Sequence, residues 1–169
     1  MLVGFIRRSN MIFVTLGTQD KDFSRLLIEV EKLKKTGVIQ DEIIAQIGST
    51  KFNSENMTCF DYVSGAKLLD YITSCDLLIT HGGVGSILSG ITNDKNVLAV
   101  ARRKEFNEHE NNHQIEIVEK FDELEYIVGC TSVESLENAY YKSLTFQRKK
   151  YKENNVNFCI LIQQLIDAD

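Results

Sequence analysis

Leu77-Leu78-Ile79-Thr80-His81-Gly82-Gly83-Val84-Gly85-Ser86 is the stretch whose reading decides the fold. Leu77, Leu78 and Ile79, entered from Asp76, make a short apolar run typical of a parallel strand covered on both faces. Gly82, Gly83 and Gly85 then remove side chains where the backbone must turn sharply or approach a ligand closely. Residues 86–91 can continue as a helix. The first amides of such a helix lack internal partners, and the dipole makes that end partly positive. A diphosphate is the natural occupant. The turn stands at the carboxyl end of a strand, where open α/β sheets bind their ligands.

Working outward, strand and helix signals alternate, the pattern of βαβ units and a parallel sheet. Residues 11–16 read as a strand, ending in Gly17-Thr18-Gln19. Residues 22–35 carry Phe23, Leu26, Leu27, Val30 and Leu33 as a helical stripe. A strand over 42–47 ends at Gly48, and 57–63 is strand and turn. A helix over 66–74 turns Leu68, Leu69 and Ile72 inward, before the central strand at 76–80 and the helix at 84–92. A strand at 96–101 and a helix from near 113 to 121 follow, then a last strand over 125–128, closed by Gly129. Thr131 and Glu134 have capping-box spacing for a helix through 146, and a final helix spans about 150–166. Proline is absent, so boundaries rest on Gly, Asn and Ser. With no linker in view, 11–169 reads as a single domain. Residues 1–10 are an upstream start, an expression remnant, or an extra strand built on Leu2-Val3-Gly4-Phe5-Ile6.

At 169 residues the chain can bury a real core, and 43% hydrophobic with 25% charged is ordinary for a globular domain. The net charge of −5 speaks against a general nucleic-acid binder. The basic triplet Arg102-Arg103-Lys104 either meets phosphates or is a solvated loop. Cys59, Cys75, Cys130 and Cys159 are widely spaced with no Cys-x-x-Cys, and read as reduced core residues of a cytoplasmic protein. No apolar run approaches the roughly 18 residues that cross a bilayer, and residues 1–10 lack the apolar region of a signal peptide.

Two further motifs carry chemistry. Gly17-Thr18-Gln19 offers backbone amides and the Thr18 hydroxyl to a phosphate or sugar oxygen; alone it is also a plain turn, and the second glycine turn on the same sheet edge favours a ligand. His109-Glu110-Asn111-Asn112-His113 spells H-E-x-x-H, a zinc-hydrolase motif that works only with both histidines on one continuous helix. Asn111 and Asn112 are poor inside a helix and good at its start, and Asn111 with Gln114 has cap-and-N3 spacing. The helix is therefore expected to begin between the histidines. The stretch then reads as a polar loop whose His109, Asn112, His113 and Gln114 suit sugar hydroxyls. His81 is either a buried, hydrogen-bonded histidine or a group beside the diphosphate.

Taken together, Thr15-Leu16-Gly17-Thr18, the glycine turn from Thr80 to Ser86, and the stretch from Glu108 to Gln114 resemble one family: the C-terminal, donor-binding half of GT-B glycosyltransferases of the peptidoglycan N-acetylglucosaminyltransferase type. The resemblance covers residues 11 to about 162. It is nearest to stand-alone versions of that half, namely the catalytic subunit of the two-part dolichol-pathway transferase and bacterial capsular and exopolysaccharide subunits. It implies a Rossmann-like sheet flanked by helices with UDP across the strand ends. Gly17, Thr18 and Gln19 would face the diphosphate and donor, and Gly82, Gly83, Gly85 and Ser86 would hold the diphosphate. Arg102, His109, Asn112, His113 and Gln114 would contact the sugar or its phosphates, with His81 beside them, and Tyr62 would lie near uracil. Where the family usually has an acidic residue for the ribose hydroxyls, this chain has Ser89, which can hydrogen-bond one hydroxyl but not as a charged bidentate acceptor.

The resemblance further implies an inverting transferase that uses a UDP-sugar as substrate and needs no cofactor or bound metal. Because only half of such an enzyme is present, a membrane-associated partner subunit is expected to supply the lipid-linked saccharide acceptor and the general base, and to recruit this chain to the inner face of the membrane. The alternatives are a non-catalytic nucleotide-sugar-binding regulatory subunit, favoured by Ser89, and more distantly a zinc hydrolase, from the spelling at His109 and His113.

Overall fold

A computed structural model describes residues 10–152 and 156–167. Among the described residues six strands, β1 Met11–Thr15, β2 Glu42–Gln46, β3 Thr58–Phe60, β4 Leu77–His81, β5 Asn96–Val100 and β6 Val128–Cys130, pair in the order β3-β2-β1-β4-β5-β6. Every pairing is parallel. Six helices connect or follow them: α1 Ser24–Lys35, α2 Gly65–Ser74, α3 Val84–Thr92, α4 His113–Glu123, α5 Leu136–Thr145 and α6 Val156–Asp167.

Alternation along each strand feeds two cores. Ile12, Val14, Leu77 and Ile79 face α1 and α5 through Leu26, Leu27, Val30, Leu136 and Tyr140. Phe13, Leu78, Val97 and Ala99 face the opposite side, where Ile72 of α2, Ile87 and Ile91 of α3, Val118 and Phe121 of α4 and Phe158 and Leu165 of α6 cover them. The central strands are mostly apolar because both of their faces are buried, with the polar Thr15, Thr80 and His81 confined to their carboxyl ends. The expected Rossmann-like parallel sheet is what forms.

Four local features differ from the sequence reading. The last strand is Val128–Cys130, not 125–128: Glu125 takes a positive φ of 60° and ends the turn after α4, and Tyr126 and Ile127 are buried before the ladder begins. Apolar burial does not distinguish the approach to a strand from the strand. The Thr131–Glu134 capping box does not form, because the Glu134 carboxylate takes the Ser132 hydroxyl and a 3₁₀ turn precedes α5. The Asn111–Gln114 box is also absent; Asn111 Oδ1 accepts the His113 amide at 3.0 Å while Gln114 turns inward. The final helix starts at Val156 rather than near 150. Cys75 and Cys130 are buried, with thiols pushed up to about 11 mainly by burial, whereas Cys159 is exposed rather than in the core. The readings of residues 1–10 fall, apart from Asn10, outside the described residues.

Candidate functional site

β1 and β4 are neighbours whose connections leave in opposite directions, to β2 on one side and β5 on the other. This is the switch point of the sheet, where diverging loops open a crevice. A cleft of about 300 Å³ lies there. Thr15, Gly17, Thr18 and Gln19 form one wall from the end of β1, and His81, Gly83, Gly85, Ser86 and Ser89 form the other from β4 and α3. Gln46, Leu68 and Ile72 close the side towards α2.

Helix α3 starts behind Gly83, an extended N-cap residue with no side chain to spend on the helix. The first bond of the helix runs from the Ile87 amide to the Gly83 carbonyl at 3.1 Å, so the amides of Val84, Gly85 and Ser86 have no partner in the helix. They form a positive rim on the cleft. Gly85 is exposed, and a Cβ there would meet nothing, so the approach is open.

Between the two glycine turns stands His81. Gly17 has φ +73°, and a Cβ on Gly17 or on Gly83 would overlap the imidazole. The ring is thus clamped by two residues that have no side chains. Its Nε2 lies 3.2 Å from Ser86 Oγ and its Nδ1 3.3 Å from Gln114 Nε2. Burial, with the Arg102 guanidinium next in effect, pushes its pKa down to about 3, so the ring is neutral. His81 is thus the buried, hydrogen-bonded histidine of the first reading, and its ring also lines the cleft.

Gly17, Thr18, Gln19, His81, Gly83, Gly85, Ser86 and Ser89 are brought together. Gly82 stands just behind, its amide donating to Gln114 Oε1 at 3.0 Å. Tyr62 faces an adjoining hollow formed by residues 47–53 with Asp61, and its hydroxyl pairs with Ser49 Oγ at 2.8 Å. The two hollows meet where Gly48, at φ +58°, packs against the Gly17 carbonyl.

Five expected contacts are placed elsewhere. Arg102 is only 1% exposed and lies under the β1–α1 loop, giving hydrogen bonds to the carbonyls of Leu16 and Lys21 at 2.9 Å each and of Glu108 at 3.2 Å. Burial pushes its pKa down to about 10, which still leaves it charged at neutral pH. Asn112 Oδ1 accepts the Lys104 amide at 2.8 Å. His109 is buried with Nδ1 3.0 Å from Asn111 Oδ1. His113 Nε2 meets the Leu165 carbonyl at 2.9 Å and so ties α4 to α6. Gln114 faces the backbone and His81 rather than the cleft. A polar sequence looked like a ligand loop because sequence does not say which polar groups the fold consumes. Since α4 begins at His113, His109 lies outside the helix and the zinc-hydrolase geometry is not built. Among the described residues no group of three or more His, Cys, Asp or Glu is placed to hold a metal.

Sequence reasoning missed Gln46. It is 3% exposed at the end of β2, lines the cleft, and its Oε1 has no partner. An amide directly after the apolar Ile43-Ile44-Ala45, in register with Thr15, was the available signal. A buried acceptor without a donor is costly and suits a ligand that brings one.

Fold and cleft together define a class, a Rossmann-like domain whose switch-point cleft is bordered by the unpartnered first amides of a helix. Residues 11–165 match the glycosyltransferase family 28 C-terminal domain, and the chain belongs to that family. It is similar to the human "UDP-N-acetylglucosamine transferase subunit ALG13", 28% identical over 129 residues, which cover 71% of this chain and 11% of that protein. An NMR structure of ALG13 superposes with TM-score 0.58 at 18% identity, covering 94% of this chain and 97% of that one. The kitacinnamycin glycosyltransferase superposes with TM-score 0.59 at 14% identity, covering 93% of this chain and 38% of that one. Both superpositions show the shared GT-B fold, and this chain spans only a fraction of the human protein and of the kitacinnamycin enzyme.

Proposed function

We propose that this chain is the donor-binding subunit of an inverting UDP-sugar glycosyltransferase that extends a lipid-linked saccharide in bacterial capsular or exopolysaccharide synthesis. One observation carries the reading: the unpartnered amides of Val84, Gly85 and Ser86 face Gly17, Thr18 and Gln19 across the switch-point cleft. A diphosphate spans such a gap, and the uracil end extends towards the hollow beside Tyr62. As the acceptor hydroxyl attacks the anomeric carbon, negative charge grows on the departing UDP. Fixed amides aimed at that charge lower the barrier without reorganising. A membrane-associated partner supplies the acceptor site and the general base, and brings this chain to the inner face of the membrane. Family membership and the similarity to a transferase subunit support that division of labour. Among the described residues no helix is long and apolar enough to cross a membrane.

Titration with UDP, followed by backbone amide shifts, tests the site against ADP and GDP. The expected result is saturable shifts at residues 17–19 and 83–86 that UDP produces at lower concentration than the purine nucleotides. No response at millimolar UDP removes the reading. Ser89 favours a second one, a nucleotide-sugar-binding regulatory subunit. Its hydroxyl is turned back to the Gly85 carbonyl at 2.9 Å, where a family carboxylate would face the ribose. Transfer by the complex with its partner separates the two, and Ser89→Glu is expected to tighten UDP binding under either.

A further inference from the structure

Gln114 is 3% exposed and does not line the cleft, yet it is hydrogen-bonded to the cleft's centre. Its side-chain oxygen receives two backbone amides, Gly82 at 3.0 Å and Arg102 at 3.1 Å. Both N–H groups can only donate, so the amide has one orientation, with oxygen towards the backbone. The nitrogen is left facing His81 Nδ1 at 3.3 Å. An amide N–H donates, so Nδ1 must accept. In a neutral imidazole the single ring proton then sits on Nε2. Gly17 and Gly83 close on the ring and keep it from turning over. Nε2–H therefore points at Ser86 Oγ, 3.2 Å away. With its oxygen engaged as an acceptor, the Ser86 hydroxyl keeps its own hydrogen for another partner. Ser86 is half-buried on the cleft wall, and no other hydrogen bond of its hydroxyl is formed among the described residues.

We propose that Gln114 is a positioning residue that fixes the His81 proton on Nε2 and so aims the Ser86 hydroxyl, as a donor, at the diphosphate of the nucleotide. The proposal rests on the donor-binding reading above. The reverse tautomer is the harmful one. A bare Nε2 would accept the Ser86 hydrogen and present an oxygen lone pair to an anion.

Long-range proton–nitrogen spectra of the histidine rings in the unliganded full chain test the assignment directly. Three histidines are present, and His81 is assigned by its loss in His81→Gln. The expected spectrum has Nε2 protonated and Nδ1 bare. Gln114→Glu keeps one oxygen for Gly82 and Arg102 but offers only another acceptor to Nδ1, so at pH 8 the proton is expected to move to Nδ1. UDP affinity should fall roughly tenfold to hundredfold, the worth of one hydrogen bond to a charged group. Ser86→Ala should cost a similar factor, and adding Gln114→Glu to it should cost little more.

A wild-type ring protonated on Nδ1 overturns the proposal, and that spectrum decides even where the variant fails to fold. A proton that stays on Nε2 in Gln114→Glu overturns it, as does a proton that moves with no change in UDP affinity. A wild type that ignores UDP removes the donor-binding reading and the hydroxyl's role with it, while the ligand-free spectrum still decides what Gln114 does to His81.

Discussion

Two glycines make the room that His81 fills. Gly17 has to be glycine twice over, for its φ of +73° and for the imidazole where a Cβ would go. Gly17→Ala is expected to cost on the order of 3 kcal/mol in urea unfolding, combining left-handed strain with overpacking. Gly37→Ala, at φ +79° with nothing within 4 Å, is the control and should cost about 1 kcal/mol. The neutral His81 also sets an acid limit. Its folded pKa of about 3 lies below the ordinary 6.5, so the unfolded chain binds the proton first as pH falls. The stability its neutral burial carries is complete above about pH 6.5 and is lost as pH falls towards 3. From pH 6.5 to pH 5 the wild type should lose about 2 kcal/mol more than His81→Asn, measured by urea midpoints. At this scale the glycines were legible from their spacing after a strand. The parts played by Gln114 and Gln46 were not, because Gln114 meets the amides of Gly82 and Arg102, just past two strands remote in sequence, and Gln46 gains its role only from the cleft that forms beside it.

The loops at the sheet edge are held from beneath. Arg102, just past β5, binds the carbonyls of Leu16 and Lys21 and so fixes the β1–α1 loop that carries Gly17, Thr18 and Gln19. Glu108, 3% exposed, pairs in bidentate fashion with Arg25 of α1 at 2.8 and 3.1 Å and accepts the Arg103 amide at 2.9 Å. Arg102→Met keeps the bulk and removes the donors. It should cost about 3 kcal/mol, since buried carbonyls are left unpaired. Amide exchange should quicken at residues 17–22 while the β4 ladder keeps its protection. Sequence showed three adjacent basic residues and nothing to divide them. Tertiary burial does divide them: Arg102 is consumed by the loop, Arg103 pairs with Glu105, and Lys104 stays exposed. Element existence and order were readable from hydrophobic period, and the start of α4 between the histidines followed from asparagine's preference for helix starts. The shift of β6 was not readable, since Tyr126 and Ile127 are apolar for packing against α4 and α6 rather than for pairing.

Across the whole molecule, the cleft borrows from two halves of the sheet, β1 with its neighbours and β4 with its own. A ligand that binds both adds stability to the fold as a unit. At a UDP concentration of 100 times Kd, unfolding should become harder by about 2.7 kcal/mol. Hydrogen exchange should slow most at residues 17–19 and in the first turn of α3. Helix α5, which packs on the β5–β6 end of the sheet away from the cleft, should show only the global change. Local slowing confined to α6 instead would point to binding away from the switch point.

The order of elements, the parallel sheet and the glycine turns at its carboxyl edge belong to the sequence alone. They depend on local period and on backbone freedom, and both are properties of neighbouring residues. Which polar side chains face the cleft was decided only when the strands came together. A polar group's role depends on the partner it finds, and Gln114, Arg102 and His113 find theirs 12, 86 and 52 residues away.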